Sequence, residues 1–381
     1  LSFGEVALGN NLQKNSFEAK KAARYPLNVM KCNSCSHFQL SHSVNKNLLY
    51  ATNYSYLSGI APSFVQHFKN YCEWIISRTG LTDNSTIIDI GSNDGTGLKF
   101  FLEKNFNVCG IDPANLPAQV ANRNGIKTIN NYFSLSLAKE IKKEIGTADL
   151  VTSHNVLAHI EDISDVFNSV NFLLEDGGWF CFEVGYFGTV CEKNLFDTIY
   201  HEHLDYHHVE PMASYLNKHG FSLIEVSFNS SQGGSVRFLS QKAKEPVLST
   251  QAKNTIGLEK ESKLYQHDLG RNWQLKIKKS MLEFGAAIKK LKFKGAEIIC
   301  YGAPTKATLL LKLSELTSEE INYIVEDNNL KVGNFLPTTG IPIFSPERLR
   351  LDKPDVIIIL AWNFLSDIKI KLRKSIHLKQ K

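Results

Sequence analysis

Residues Thr86–Gly97 read TIIDIGSNDGTG, an apolar run that ends in an acid and opens into a glycine-rich turn. Ile87, Ile88 and Ile90 are β-branched and nearly continuous, the pattern of a strand buried on both faces. Gly91, Gly95 and Gly97 let the backbone turn sharply and approach a ligand, and a helix is expected from near Leu98. A second apolar run, Val108–Ile111, ends at Asp112, where the next parallel strand would present a carboxylate to ribose hydroxyls. Together the two strand ends define a nucleoside site at the carboxyl edge of an open α/β sheet.

The dinucleotide fingerprint needs glycines at G-x-G-x-x-G, whereas this turn runs Gly91-Ser92-Asn93-Asp94-Gly95 behind Asp89. That favours a cationic, phosphate-free cofactor. The loop resembles motif I of the class I S-adenosylmethionine (SAM) methyltransferases, with Asn93 where many members carry a second glycine. A tight turn in an unrelated doubly wound domain is the competing reading.

At 381 residues and 43% hydrophobic content, the chain is long enough for two or three cores. The net charge of +5 is small for this size. Lysines are spread along the chain except in the tail Lys369–Lys381, read as a solvated helix end. No basic stripe with interleaved aromatics is present, so no nucleic-acid partner is expected. No run of about 18 apolar residues exists, so no membrane span is expected either. The seven cysteines fall mostly inside apolar runs, as reduced core residues of a cytoplasmic protein do.

Near the start, Cys32-Asn33-Ser34-Cys35 lies between two short strand patterns, the shape of a zinc knuckle. Tetrahedral zinc needs four ligands, and there is no second CxxC; His37 and His42 are the nearest substitutes, and two small buried thiols the plain alternative. Pro62–Arg78 has helical spacing. Strands at Thr86–Ile90, Val108–Ile111, Leu150–Ser153 and Trp179–Val184 alternate with helical segments at Ser134–Glu144 and Ile163–Leu174, which gives a parallel sheet. A glycine turn, Gln232-Gly233-Gly234, leads into a strand at Val236–Leu239. Ile256–Leu291 reads as one long helix or two joined ones. A second α/β unit starts at Glu297, with strands at Ile298–Tyr301, Ile321–Val325 and Val356–Leu360. The expected zones are 1–58 (zinc-binding-like), 59–240 (cofactor and catalytic block), 241–294 (helical connector) and 295–381 (Rossmann-like).

The densest titratable cluster is the block Asp197-Thr198-Ile199-Tyr200-His201-Glu202-His203, continued by Asp205, Tyr206, His207 and His208. Such residues can simply line a wet domain interface, but their placement past a cofactor sheet favours function. His201 and His203 are two apart and cannot share a helical face. An extended segment would put Tyr200 and Glu202 on one side and the two histidines on the other. His159, with Asn155 ahead of it, follows the third strand on the edge that faces the cofactor.

The strings FEVGYFGTVCEKNLFDTIYHEHLDY, QGGSVRF, YGAPTKATLLL, NYIVEDNNLKVGNFLPTTGIPI and KPDVIIILAWN resemble the sugar C-methyltransferase family, which acts on nucleotide-linked keto-deoxysugars. The similarity covers nearly the whole chain, and DTIYHEH is its most specific part. It implies an N-terminal zinc-binding domain, a central SAM domain and a C-terminal Rossmann-like domain. His203 would be the general base, with Tyr200, Glu202 and His159 around the reacting sugar. Asp89, Gly91, Asn93, Gly95, Asp112 and Asn155 would bind SAM, while His201, Gly234, Arg237 and Lys306 join Tyr200 as substrate contacts. Cys32 and Cys35 match the second of two CxxC pairs, so a truncated chain with a doubtful zinc site is implied.

This chain departs from the family at Gln232, where a histidine is usual, at Pro304-Thr305 and at Thr338-Thr339-Gly340. Those positions bear on the choice of sugar. The competing functions are an O- or N-methyltransferase for a small molecule, in which the His/Tyr block only binds, and a zinc-knuckle binding protein with a degenerate SAM fold.

Overall fold

A computed structural model describes residues 1–45, 48–49, 57–266 and 269–375. Three strands open the chain: β1 (Ser2–Ala7), β2 (Arg24–Lys31) and β3 (Phe38–Leu40). After the helix Pro62–Thr79 come β4 (Thr86–Ile90), β5 (Asn107–Ile111), β6 (Thr128–Ile129), β7 (Ala148–His154) and β8 (Leu174–Gly185). The chain then returns through β9 (Asp205–Tyr206) before β10 (Phe221–Asn229) and β11 (Ser235–Lys242). The last unit holds β12 (Ile298–Tyr301), β13 (Ile324–Val325), β14 (Ile343–Phe344) and β15 (Val356–Ile359).

The central sheet runs β10-β11-β8-β7-β4-β5-β6. β4 to β8 are parallel, while β11 is antiparallel to both neighbours. The parallel α/β expectation therefore holds, with a reversed hairpin closing one edge. β4 needs apolar residues on both faces because helices cover both: Ile88 and Ile90 join one core with Phe167 and Phe180, and Ile87 joins another with Tyr71 and Phe101. The C-terminal sheet, β14-β13-β12-β15, is wholly parallel and also has a core on each face. Of the expected strand Ile321–Val325 only Ile324–Val325 pairs, since residues before it lead in as loop.

The connector resolves as two helices, Thr250–Lys260 and Leu269–Phe293. The second helix packs Trp273, Ile277 and Met281 into the core of the N-terminal sheet, which also takes Leu309 from the helix Ala307–Leu313. That sheet gains its fourth strand from the His- and Tyr-rich block: β9 pairs with β3, Phe38 facing Tyr206. N-terminal and C-terminal units also meet at Gly9, where a Cβ would lie 2.0 Å from the Thr305 carbonyl oxygen, so no other residue fits that approach. Of the expected helical tail, residues to Ser375 are helical and 376–381 lie outside the described residues.

Candidate active site

The cofactor edge is built by the strand ends of β4 and β5. Asp89 is buried, its Oδ1 has no hydrogen-bond partner, and burial next to Asp112 pushes its carboxyl well above the usual range. Asp112 accepts the Asn93 N–H at 2.9 Å and the Ala114 N–H at 2.8 Å, so both its oxygens are aimed by backbone. Burial raises it to about 6 despite those bonds. Gly91 has φ +73, and a Cβ there would meet Val156 Cγ2 at 2.2 Å. Asn93 Oδ1 accepts the Ser58 N–H at 2.9 Å and Asp94 accepts the Gly59 N–H at 2.9 Å, which fastens the chain entering the helix Pro62–Thr79. Gly95 caps the following helix, Thr96–Leu102. Two buried acids, one with an unpaired oxygen, beside a backbone with no room for a side chain fit SAM: Asp112 supplies negative charge above about pH 6 and is preset to accept ribose hydroxyls.

The loop leaving β7 carries that edge to the His- and Tyr-rich block. Asn155, at φ +56, donates its N–H to the Glu183 carbonyl at 2.7 Å. Four residues on, His159 Nδ1 lies 2.6 Å from the Glu202 carbonyl oxygen, and Leu204 donates its N–H to the Ala158 carbonyl at 2.6 Å. Burial lowers His159 to about 4, so its ring is neutral at physiological pH. Its centroid is 4.8 Å from that of His203.

His203 is partly buried, and burial, followed by the neighbouring His159 imidazole, holds its imidazolium well below the ordinary range. Nδ1 is 2.8 Å from the Thr198 carbonyl oxygen, and Nε2 is 2.8 Å from the Tyr200 hydroxyl. A carbonyl only accepts, so Nδ1 carries the ring proton and Nε2 accepts from Tyr200. The expected extended segment is instead a turn, closed by the His203 N–H on the Tyr200 carbonyl at 2.9 Å. The side-chain grouping changes accordingly. Tyr200 joins His203, whereas Glu202 turns to Asn10, whose Nδ2 donates to Oε1 at 2.8 Å. Burial raises Glu202 to about 7, opposed by Asn10, Lys331 and Thr305. His201 faces the N-terminal sheet, with Nε2 3.1 Å from the Tyr25 carbonyl.

Thus His159, Tyr200 and His203 come together, joined to the cofactor turn through Val156, and Glu202 meets them through its backbone carbonyl while its carboxyl turns to Asn10. The remaining substrate candidates lie in different surroundings. Arg237 is bound to buried Glu183 (Nη2–Oε2 2.7 Å) and lies over Tyr71 and Trp74. Lys306 is buried between Asp197, 3.3 Å from its Nζ, and the Trp362 ring, 3.9 Å to the centroid. Gly234 accepts the Tyr186 N–H at 3.1 Å. Sequence reasoning missed Asn10, Lys331 and Trp362. Trp362 follows a strand at a carboxyl edge, a readable position, but Asn10 meets Glu202 across 192 residues and leaves no local signal.

Cys32 and Cys35 occupy the turn between β2 and β3, closed by the Ser36 N–H on the Cys32 carbonyl at 3.0 Å. His37 is taken by Asp205 at 2.8 Å and His42 stacks on Tyr25. Among the described residues no group of three or more His, Cys, Asp or Glu could hold a metal ion. The residues present do not assemble a tetrahedral zinc site, and no step below uses one.

Residues 64–226 match the family described as methyltransferase domain, and residues 230–380 the family described as C-methyltransferase C-terminal domain. The C-methyltransferase NovU of Streptomyces niveus is 31% identical over 369 residues, covering 97% of this chain and 88% of that protein. A ubiquinone biosynthesis O-methyltransferase of Colwellia psychrerythraea is 30% identical over 115 residues, 30% of this chain and 46% of that protein. Magnesium protoporphyrin IX methyltransferase from Synechocystis PCC 6803 with bound SAH superposes over 47% of this chain and 83% of its own, with TM-score 0.38 and 15% identity. No helix among the described residues is long and apolar enough to cross a membrane. The chain has the class I Rossmann-like α/β methyltransferase fold with a second C-terminal domain, and it belongs to the family of SAM-dependent C-methyltransferases represented by NovU.

Proposed function

We propose that the protein transfers a methyl group to the carbon α to the ketone of a nucleotide-activated keto-deoxysugar. The observation that carries this reading is the Thr198–His203–Tyr200 arrangement, a neutral imidazole with its basic nitrogen on a phenol, one loop away from the cofactor turn. O- and N-methylation act on atoms that already carry a lone pair. Carbon must first lose a proton, so a base of fixed tautomer serves that chemistry.

His203 Nε2 takes the α-proton and becomes the imidazolium, while the C–H pair moves into the enolate. The Tyr200 hydroxyl, which rests on Nε2, turns to donate to the enolate oxygen. His159 spends its Nδ1–H on the Glu202 carbonyl and leaves that donor role to Tyr200. Glu202, at about 7, exchanges a hydrogen bond with a sugar hydroxyl in either protonation state. Asp89 and Asp112 would hold SAM, which would supply an electrophilic methyl there, the carbanion pair forming the C–C bond and the S–CH3 pair staying on the thioether. His203 then releases its proton to water. A positioned base contributes roughly 10² to 10⁴ in rate, and an oxyanion donor about 10² to 10³.

The test is mass spectrometry of thymidine-diphosphate keto-deoxysugars incubated with trideuteromethyl-SAM, beside His203→Ala. The expected result is a labelled methyl on carbon, with turnover at least about 100-fold lower in the variant. A label on oxygen, or His203→Ala at wild-type rate, refutes the reading.

A further inference from the structure

Asp197 is buried in the short helical turn Phe196–Thr198, five residues before Glu202, and the chemistry above leaves it without a task. Its Oδ2 receives the Trp362 indole N–H and lies 3.3 Å from Lys306 Nζ, both from the C-terminal domain. Lys306 also donates to Asn363 Oδ1, and Asn363 Nδ2 donates to Gln232 Oε1 at 3.0 Å. One carboxylate thus ties the catalytic turn, the glycine turn before β11 and the C-terminal domain together. A buried carboxylate is costly unless a cation and donors compensate it, and here an ammonium and an indole do so.

The same turn holds the base. Thr198 Oγ1 donates to the Leu195 carbonyl at 2.8 Å and the Ile199 N–H to the Phe196 carbonyl at 3.0 Å, which sets the plane of the Thr198 carbonyl. That carbonyl takes the His203 Nδ1–H. Resting on the reading of His203 as base, we propose that Asp197 is a positioning residue: anchored by Lys306 and Trp362, it fixes the Thr198 carbonyl and through it the tautomer that leaves His203 Nε2 free of a proton. The C-terminal domain therefore reaches the reaction through this contact, and undocking it disarms the base. An amide or carbonyl at such a position orients an imidazole as a carboxylate does in a hydrolase triad, where loss of the correct tautomer costs ~10⁴ in kcat. Here the carbonyl survives mutation of Asp197, so the loss is smaller.

The experiment is Asp197→Asn and Trp362→Phe in the full chain, each checked for folding by circular dichroism and for SAM affinity by calorimetry. Histidine-ring ¹⁵N NMR reads the tautomer directly. Wild type should show a protonated Nδ1 and a bare Nε2 at His203. Asp197→Asn should show mixed tautomers and a kcat about 10- to 100-fold lower, with SAM affinity within twofold. Trp362→Phe should move both readouts the same way by less, and it carries the test if the first variant does not fold. A folded variant with the wild-type tautomer overturns the proposal whatever its kcat, because Asp197 would then only hold two domains together. The ring readout involves no turnover, so it decides the point even if His203→Ala keeps activity and the base assignment itself fails.

Discussion

Replacing Glu202 with glutamine changes how stability depends on pH. An unfolded glutamate ionises near 4.5, whereas burial raises Glu202 to about 7 against the opposing pull of Asn10, Lys331 and Thr305. Between those values the unfolded chain has lost the proton and the folded one still holds it. The contribution of this group to stability is therefore full below pH 4.5 and is lost as pH rises through 7. At about 1.4 kcal/mol per pH unit the loss is about 3 kcal/mol. Glutamine is neutral throughout and keeps an acceptor for Asn10. Urea unfolding of both proteins at pH 5 and pH 8 isolates this group, because Asp89 and Asp112 titrate equally in each. The stability of Glu202→Gln relative to wild type should rise by about 2 to 3 kcal/mol from pH 5 to pH 8. A relative stability constant within about 0.5 kcal/mol would show that Glu202 ionises at its ordinary pH and would refute the argument.

Asp112→Asn should weaken SAM binding by about 10- to 100-fold at pH 8, since a charged acceptor becomes a neutral amide. In wild type, calorimetry should show affinity falling as pH drops through about 6, where Asp112 takes up a proton; a flat profile from pH 5 to 8 would count against its role. Glu183 is held down to about 2 against its burial by His67 and Arg237. Arg237→Leu should therefore destabilise the central domain by about 3 to 5 kcal/mol in urea, by stranding a buried charge. An unchanged unfolding midpoint would mean that water or His67 alone satisfies Glu183.

Much of the central domain was legible because its signals are local. Ile87, Ile88, Ile90 and the glycines of the turn mark one strand and one loop whatever lies around them, and the strand Ile298–Tyr301 appears as expected. The acids Asp89 and Asp112 were legible for the same reason: Asp89 is the last residue but one of its strand and Asp112 directly follows its own. The block at Tyr200–His203 was legible as a cluster and not as a shape. Alternation predicts an extended segment, but the bond from Leu204 to Ala158 and the pairing of β9 with β3 pull the chain into a turn, which regroups Tyr200 with His203.

Taken alone, the amino-acid order determined the strand pattern, the cofactor turn and the residue types that carry proton chemistry, because each depends on neighbours a few positions apart. Tertiary structure decided which nitrogen of His203 is basic, why Glu202 holds its proton near neutrality, and that Asp197 is anchored by Lys306 and Trp362. Those outcomes arise from burial and from partners such as Asn10 and Trp362, 192 and 165 residues away from Glu202 and Asp197. Desolvation is a property of the assembled interior, and no local stretch of sequence carries it.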